Sequence, residues 1–198
     1  MIKKMQIIGL IGVNASGKST LAHLLSRDYV DYDMVATDNL LAINRMLNPN
    51  NPRLRYSSYS AWERLGKSTL ENIWKGFEDY RGSNRRFLDC ILRRARDQKV
   101  GMIIEGLHIE PKLFFSYDSE LDVHIFLLYV SNEEKHKERI KQKCDYRPKL
   151  LKRLERYFPH IRTLQGLLIE EAKHYPVEII ETGVSKESSL KRIKGLLK

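Results

Sequence analysis

Gly12-Val13-Asn14-Ala15-Ser16-Gly17-Lys18-Ser19 fits the pattern G-x-x-x-x-G-K-[ST] at every specified position. The chemistry of such a stretch is phosphate binding. Its glycines let the backbone curl until successive N–H groups point inward at phosphate oxygens, where side chains would block the approach. Lys18 adds a mobile cation for the β- and γ-phosphates, and Ser19 offers a hydroxyl ligand to Mg²⁺. A helix starting around Gly17 turns its positive dipole end toward the anion. Gly12, Asn14, Ala15, Ser16, Gly17, Lys18, Ser19 and Thr20 are therefore the residues expected around a bound nucleotide's phosphates.

The flanking elements suit that loop. Met5–Ile11 is a short apolar run of the kind that forms a buried parallel strand, and Ser19–Leu25 repeats its apolar positions at helical spacing. Four further segments read as strands: Met34–Thr37, Met102–Glu105, Val123–Val130 and Val177–Glu181. Helical patterns cover Lys18–Arg27, Asn39–Leu47, Ala61–Tyr80, Arg85–Gln98, Asn132–Cys144, Leu150–Lys173 and Lys186–Leu197. This alternation predicts an α/β fold, a five-stranded parallel sheet with helices on both faces. Residues 1–198 read as one domain, with a helical lid at about 135–157. Asn48-Pro49-Asn50-Asn51-Pro52 should be a loop, and Ser131 should cap the helix whose first turn holds Glu133 and Glu134.

In such sheets ligands gather beyond the carboxyl ends of the strands. Asp38 follows the second strand, where it either receives the proton of an attacking hydroxyl and holds that group in line, or caps the next helix. Glu105 ends the third strand and would hold Mg²⁺ through water, contact a substrate, or merely close the strand. His108 either donates to an acidic ligand or is structural. Arg139, Lys141, Lys143, Arg147, Lys149, Lys152, Arg153 and Arg156 form the densest basic stretch, most of it ordinary solvated helix face. Arg147 stands out because Asp145-Tyr146-Arg147-Pro148 breaks two helices where a lid tip would fall, a place for a cation that answers charge developing in catalysis. Arg53–Trp62 packs hydroxyls, aromatics and arginines ahead of a long helix, either as a binding segment or as a cap at Ser60 with Trp62 entering the core.

With 35 Lys and Arg against 25 Asp and Glu, the chain carries a formal charge of +10, so an anionic partner is expected: a nucleotide, a phosphorylated metabolite or a nucleic acid. Cys90 and Cys144 have neither zinc nor disulfide spacing, which suits a reducing cytoplasm. Met1-Ile2-Lys3-Lys4 and the apolar run behind it are too short for a secretion signal and pass directly into the phosphate loop; no segment has the length of a membrane span.

Together with the phosphate loop, three segments carry a family likeness: Ser57-Ser58-Tyr59-Ser60-Ala61-Trp62, Ile104-Glu105-Gly106-Leu107-His108-Ile109-Glu110-Pro111 and His160-Ile161-Arg162-Thr163-Leu164-Gln165. The chain resembles the archaeal 2-phosphoglycerate kinase family, whose relatives include a Thermoplasma-type mevalonate 3-phosphate 5-kinase. The resemblance implies a phosphate-loop kinase with a core like that of nucleotide monophosphate kinases, ATP and Mg²⁺ as cofactors, and a small phosphorylated hydroxy acid as acceptor. It implies that Ser57, Ser58, Tyr59 and His108 face the substrate; joined to the reading of the residues themselves, Trp62 and Glu105 are expected there too, with Lys18, Asp38 and Arg147 serving catalysis and Ser19 and Glu105 the metal. Longer members carry an extra N-terminal region, whereas here the first strand starts almost at Met1. That difference, with Ala61, Trp62, Leu107, Leu113, Phe114 and Phe115 as an expected apolar pocket wall, favours mevalonate 3-phosphate, a mevalonate-pathway intermediate in isoprenoid biosynthesis, over 2-phosphoglycerate. A polynucleotide or nucleoside kinase and a nucleotide-operated binding module are the readings from other classes. The lid stretch offers only Tyr146 and Tyr157 for base stacking, so no nucleic-acid partner is expected.

Overall fold

A computed structural model describes residues 4–197; Met1-Ile2-Lys3, the start of the basic lead-in, lies outside the described residues. Five parallel strands, β1 (Met5–Ile11), β2 (Asp33–Ala36), β3 (Met102–Glu105), β4 (Leu121–Tyr129) and β5 (Val177–Glu181), lie in the order β2-β3-β1-β4-β5. Central β1 pairs Ile7 with Met102 and Val123, and Leu10 with Glu105 and Phe126. Alternate residues serve opposite faces. Ile8, Leu10, Ile103, Phe126 and Leu128 pack on α1 (Lys18–Ser26) and α9 (Lys186–Leu196), through Leu21, Leu25 and Ile193. Ile7, Ile11, Met102, Ile104, Ile125 and Leu127 face the larger core. That core is closed by α3 (Leu70–Gly82), α4 (Arg85–Gln98), α5 (Pro111–Phe115) and α8 (Phe158–Ala172). Between them run α2 (Thr37–Leu47), α6 (Glu133–Lys143) and α7 (Pro148–Arg156).

Four local expectations need correction. The single helix expected over Ala61–Tyr80 is a 3₁₀ turn at Ala61–Leu65 followed by α3, which Thr69 caps by accepting from the Asn72 N–H at 3.2 Å. The helix expected over Leu150–Lys173 is two, α7 and α8, divided at Tyr157 because Pro159 cannot supply an N–H to a continuous ladder and sits in the first turn of α8 instead. Asn132, not Ser131, caps α6, accepting from the Lys135 N–H at 2.9 Å; Ser131 bonds the Glu181 carboxylate through its N–H and hydroxyl. α2 begins at Thr37 with no side-chain cap, so Asp38 lies inside its first turn and caps nothing.

Candidate active site

β1 delivers the chain into a cradle. A side chain at Gly12 (φ 151°) would stand 2.3 Å from the Leu128 carbonyl and 2.5 Å from Ser16 Oγ, so only glycine lets the loop lie against the end of β4. Ala15 takes φ 61°, and Gly17 enters α1 without a side-chain cap, leaving that helix's first N–H groups unclaimed by side chains. Ser16 is fully buried and its Oγ has no partner. A buried hydroxyl without a hydrogen bond is costly, and a phosphate oxygen in the cradle would satisfy it.

Lys18 Nζ donates to the Val13 carbonyl at 2.9 Å across the loop. Burial lowers its pKa to about 8, with Glu105 pulling it up, Lys143 pulling it down and Asp38 pulling it up. Ser19 Oγ donates to Glu105 Oε1 at 3.0 Å, so the two expected metal ligands do meet, brought together by the pairing of β1 with β3. A hydroxyl and a carboxylate are hard oxygen donors that fit Mg²⁺, which keeps several waters and usually takes few protein ligands beside the phosphates. Ala15, Gly17, Lys18, Ser19 and Thr20 open on a cleft of about 540 Å³ whose far wall is Arg139, Gln142 and Lys143 of α6, with Thr182 and Lys186.

Asp38 is exposed, and its charge acts on Lys18, His108 and Tyr80. His108 is 1% exposed: its Nδ1 shares a 3.0 Å hydrogen bond with Thr37 Oγ1, its ring lies 4.6 Å from that of Tyr80, and its Nε2 is buried without a partner. Burial lowers its pKa to about 4, with Asp38 opposing. Gly106 allows this approach, since a Cβ there would come within 1.8 Å of Thr37 Oγ1. In the 57–62 segment, Ser57 Oγ and Tyr59 Oη both accept from Arg153, the latter at 2.9 Å. Ser58 and Tyr59 are buried, and Trp62 donates to the Tyr59 carbonyl at 3.1 Å and stacks on His160 at 4.8 Å. Arg147, at the start of α7, is exposed, donates to the Lys143 carbonyl and lies over Tyr146; it does not line the phosphate cleft. The apolar wall expected from Ala61, Leu107 and Phe114 is core instead, with Leu113 and Phe115 packed against it, and none of these lines the phosphate cleft.

Of the far wall, sequence reasoning had Arg139 and Lys143 within its basic stretch but missed Thr182. Thr182 Oγ1 donates to the Ser16 carbonyl at 2.9 Å and accepts from Arg139 at 3.1 Å, joining the end of β5 to the phosphate loop and to α6. The 160–165 segment also has a place. Gln165 pairs with both the N–H and the carbonyl of Val130, and Arg162 donates to the Val130 and Ser131 carbonyls. Arg162 also reaches His136 Nδ1 at 3.5 Å, while His136 Nε2 donates to the Asn14 carbonyl at 2.7 Å. Only contacts across 122 and 166 positions reveal these links; the apolar periodicity of α8 gave no sign of them.

No family model matches the chain. It is similar to the 2-phosphoglycerate kinase of Methanopyrus kandleri, 30% identical over 191 residues, covering 90% of this chain and 58% of the relative. It is equally similar to that of Methanococcus maripaludis, 30% identical, covering 91% and 61%. An uncharacterised Dictyostelium discoideum protein is 29% identical over 94% of this chain and 23% of its own length. The chain thus spans about three fifths of the length of the kinases it matches. Among solved structures, a sugar kinase from a Janibacter species aligns with a TM-score of 0.54 at 18% identity, over 98% of this chain and 94% of that one. A deoxyadenosine kinase from M. mycoides aligns at 0.50 and 13%, over 98% of each. The fold is that of the phosphate-loop kinases. No helix of the described residues is long and apolar enough to cross a membrane.

Proposed function

We propose that this chain is an ATP-dependent kinase that phosphorylates the primary hydroxyl of a small phosphorylated hydroxy acid, with 2-phosphoglycerate as the acceptor. The observation that carries the reading is the Ser19–Glu105 contact beside Lys18, at a loop whose buried Ser16 hydroxyl lacks a partner. Mg²⁺, held by Ser19 and by Glu105 directly or through water, would neutralise charge on the phosphates. Lys18 answers the charge on the transferred phosphoryl group. Asp38, the exposed carboxylate whose field reaches Lys18 and His108, holds the acceptor hydroxyl in line and takes its proton. The segment from α6 through α7 acts as the lid, with Arg139 and Lys143 the cations on the nucleotide side and Arg147 exposed at its tip.

Mevalonate 3-phosphate, the acceptor favoured by the apolar residues, loses support because Ala61, Leu107 and Phe114 are core and Leu113 and Phe115 pack against it, which leaves only Trp62 of that expected wall outside. The names of the similar kinases favour 2-phosphoglycerate. Both acids carry a carboxylate, a phosphoester and a primary alcohol, so a screen of acceptors followed by ADP release decides between them. The reading expects kcat/KM to be higher for 2-phosphoglycerate; a higher value for mevalonate 3-phosphate reverses the choice of acceptor, and background ADP release with every phosphorylated hydroxy acid ends the kinase reading.

A further inference from the structure

Among the described residues, six arginines are neutralised by salt bridges: Arg64, Arg81, Arg85, Arg93, Arg94 and Arg96 are each paired with a carboxylate. Lys149, Lys152, Arg153 and Arg156 are not paired with any carboxylate among the described residues. Their spacing of i, i+3, i+4 and i+7 stacks them on one face of α7, where like charges at helical neighbours repel. Arg55, also unpaired, faces them from the other wall of a cleft of about 610 Å³. The carboxylate in that cleft, Glu63, accepts from the Tyr157 hydroxyl. The remaining lining is Tyr56, Ser60 and Tyr157, with no aliphatic side chain.

Uncompensated cations gathered on a concave surface lower their energy by taking an anion, and several of them call for more than one negative group. One wall of the cleft is tied to α2, the helix that carries Asp38, because Arg45 donates to the Leu54 carbonyl at 2.8 Å and to the Tyr56 carbonyl at 2.9 Å. Arg153 holds Tyr59 and Ser57, Tyr59 and Tyr80 belong to the same core, and the Tyr80 ring lies 4.6 Å from that of His108. Behind the cleft, His160 stacks on Trp62 and leaves its Nδ1 buried without a partner.

We infer that this cleft between α7 and residues 55–63 is the acceptor site, taking a small polyanion with a carboxylate and a phosphoester, and that Arg153 sets its specificity. Arg153 is preorganised for the task. The hydroxyls of Ser57 and Tyr59 fix its guanidinium, and its planar fork leaves N–H groups for a carboxylate or phosphate oxygen. A cleft lined by five cations and two tyrosines, with no Leu, Ile, Val or Met, offers charge partners to a compact acid that carries two anionic groups. The inference rests on the kinase reading for the identity of the ligand but not for its charge class.

The test uses the full chain with Arg153→Ala, Arg153→Lys and, as a control, Lys173→Ala, whose side chain only pairs with Glu170 on the exposed end of α8. KM for 2-phosphoglycerate should rise about 10- to 100-fold in Arg153→Ala, and less in Arg153→Lys, while KM for ATP stays within about twofold and the control is unchanged. An unchanged acceptor KM, or an equal rise in both KM values, overturns the site. Calorimetric titration with 2-phosphoglycerate alone separates the two claims. Binding lost in Arg153→Ala and kept in Lys18→Ala supports the cleft even where no acceptor is turned over, which would fault only the kinase reading. The opposite pattern puts the anion in the phosphate loop and ends the inference.

Discussion

Lys18 gives the phosphate loop a titration that nucleotide binding must move. In the free chain its ammonium is held at about 8, because burial outweighs the carboxylates of Glu105 and Asp38. Phosphate oxygens against Nζ oppose that burial and return the pKa to the ordinary lysine range or above, about 10.4 or more. At pH 8.5 roughly a quarter of free molecules carry the proton and nearly all bound ones do, an uptake of about 0.75 proton per nucleotide; at pH 7 it falls to about 0.1. His136, the titratable group on the loop's Asn14 carbonyl, is held below its ordinary value by burial, so in the free chain it is neutral at pH 8.5. Titrating with MgADP in two buffers of different ionisation enthalpy, at pH 7 and 8.5, reads the uptake directly. An uptake that does not grow between these pH values, or that survives unchanged in Lys18→Met, would refute the assignment of the buried cation to the phosphate site.

Asp38→Asn should lower kcat by about 10²–10⁴ with little change in ATP affinity, since the amide keeps the shape but cannot take a proton; steady-state kinetics showing unchanged kcat would remove Asp38 from the chemistry. His108 makes the fold acid-sensitive. With a folded value near 4 against an ordinary 6.5, the unfolded chain binds a proton that the folded chain refuses as pH falls through that window. Stability from this group is complete above about pH 6.5 and declines by about 3 kcal/mol toward pH 4. Urea unfolding across that range should show His108→Gln losing less than the parent; equal slopes would mean that His108 is not buried neutral.

Much of the site was legible because it depends on local order. A strand, a glycine loop and a helix in sequence place Lys18 and Ser19, and an acidic residue at a strand end places Glu105 opposite them once β1 and β3 pair. The corrected elements failed for local reasons that periodicity hides: Thr69 restarts a helix inside an apolar pattern, and Pro159 splits another without interrupting its apolar face. Other residues were illegible because their roles arise only in three dimensions. Nothing around Thr182 marks it as a neighbour of Ser16, and nothing in the basic run tells that Arg153 bonds two hydroxyls while Arg147 stays on the surface. Leu107 and Phe114 look alike as core and as pocket wall, and burial alone decides between them.

The central claim concerns the fate of one phosphoryl group, so the most direct measurement follows it. ATP labelled at the γ-phosphate is incubated with Mg²⁺, 2-phosphoglycerate and either the parent chain or Lys18→Ala, whose fold is checked by circular dichroism. The account predicts label in a bisphosphorylated acid with the parent and none above background with the folded variant. Label released only as inorganic phosphate, or transferred equally well by folded Lys18→Ala, would contradict it.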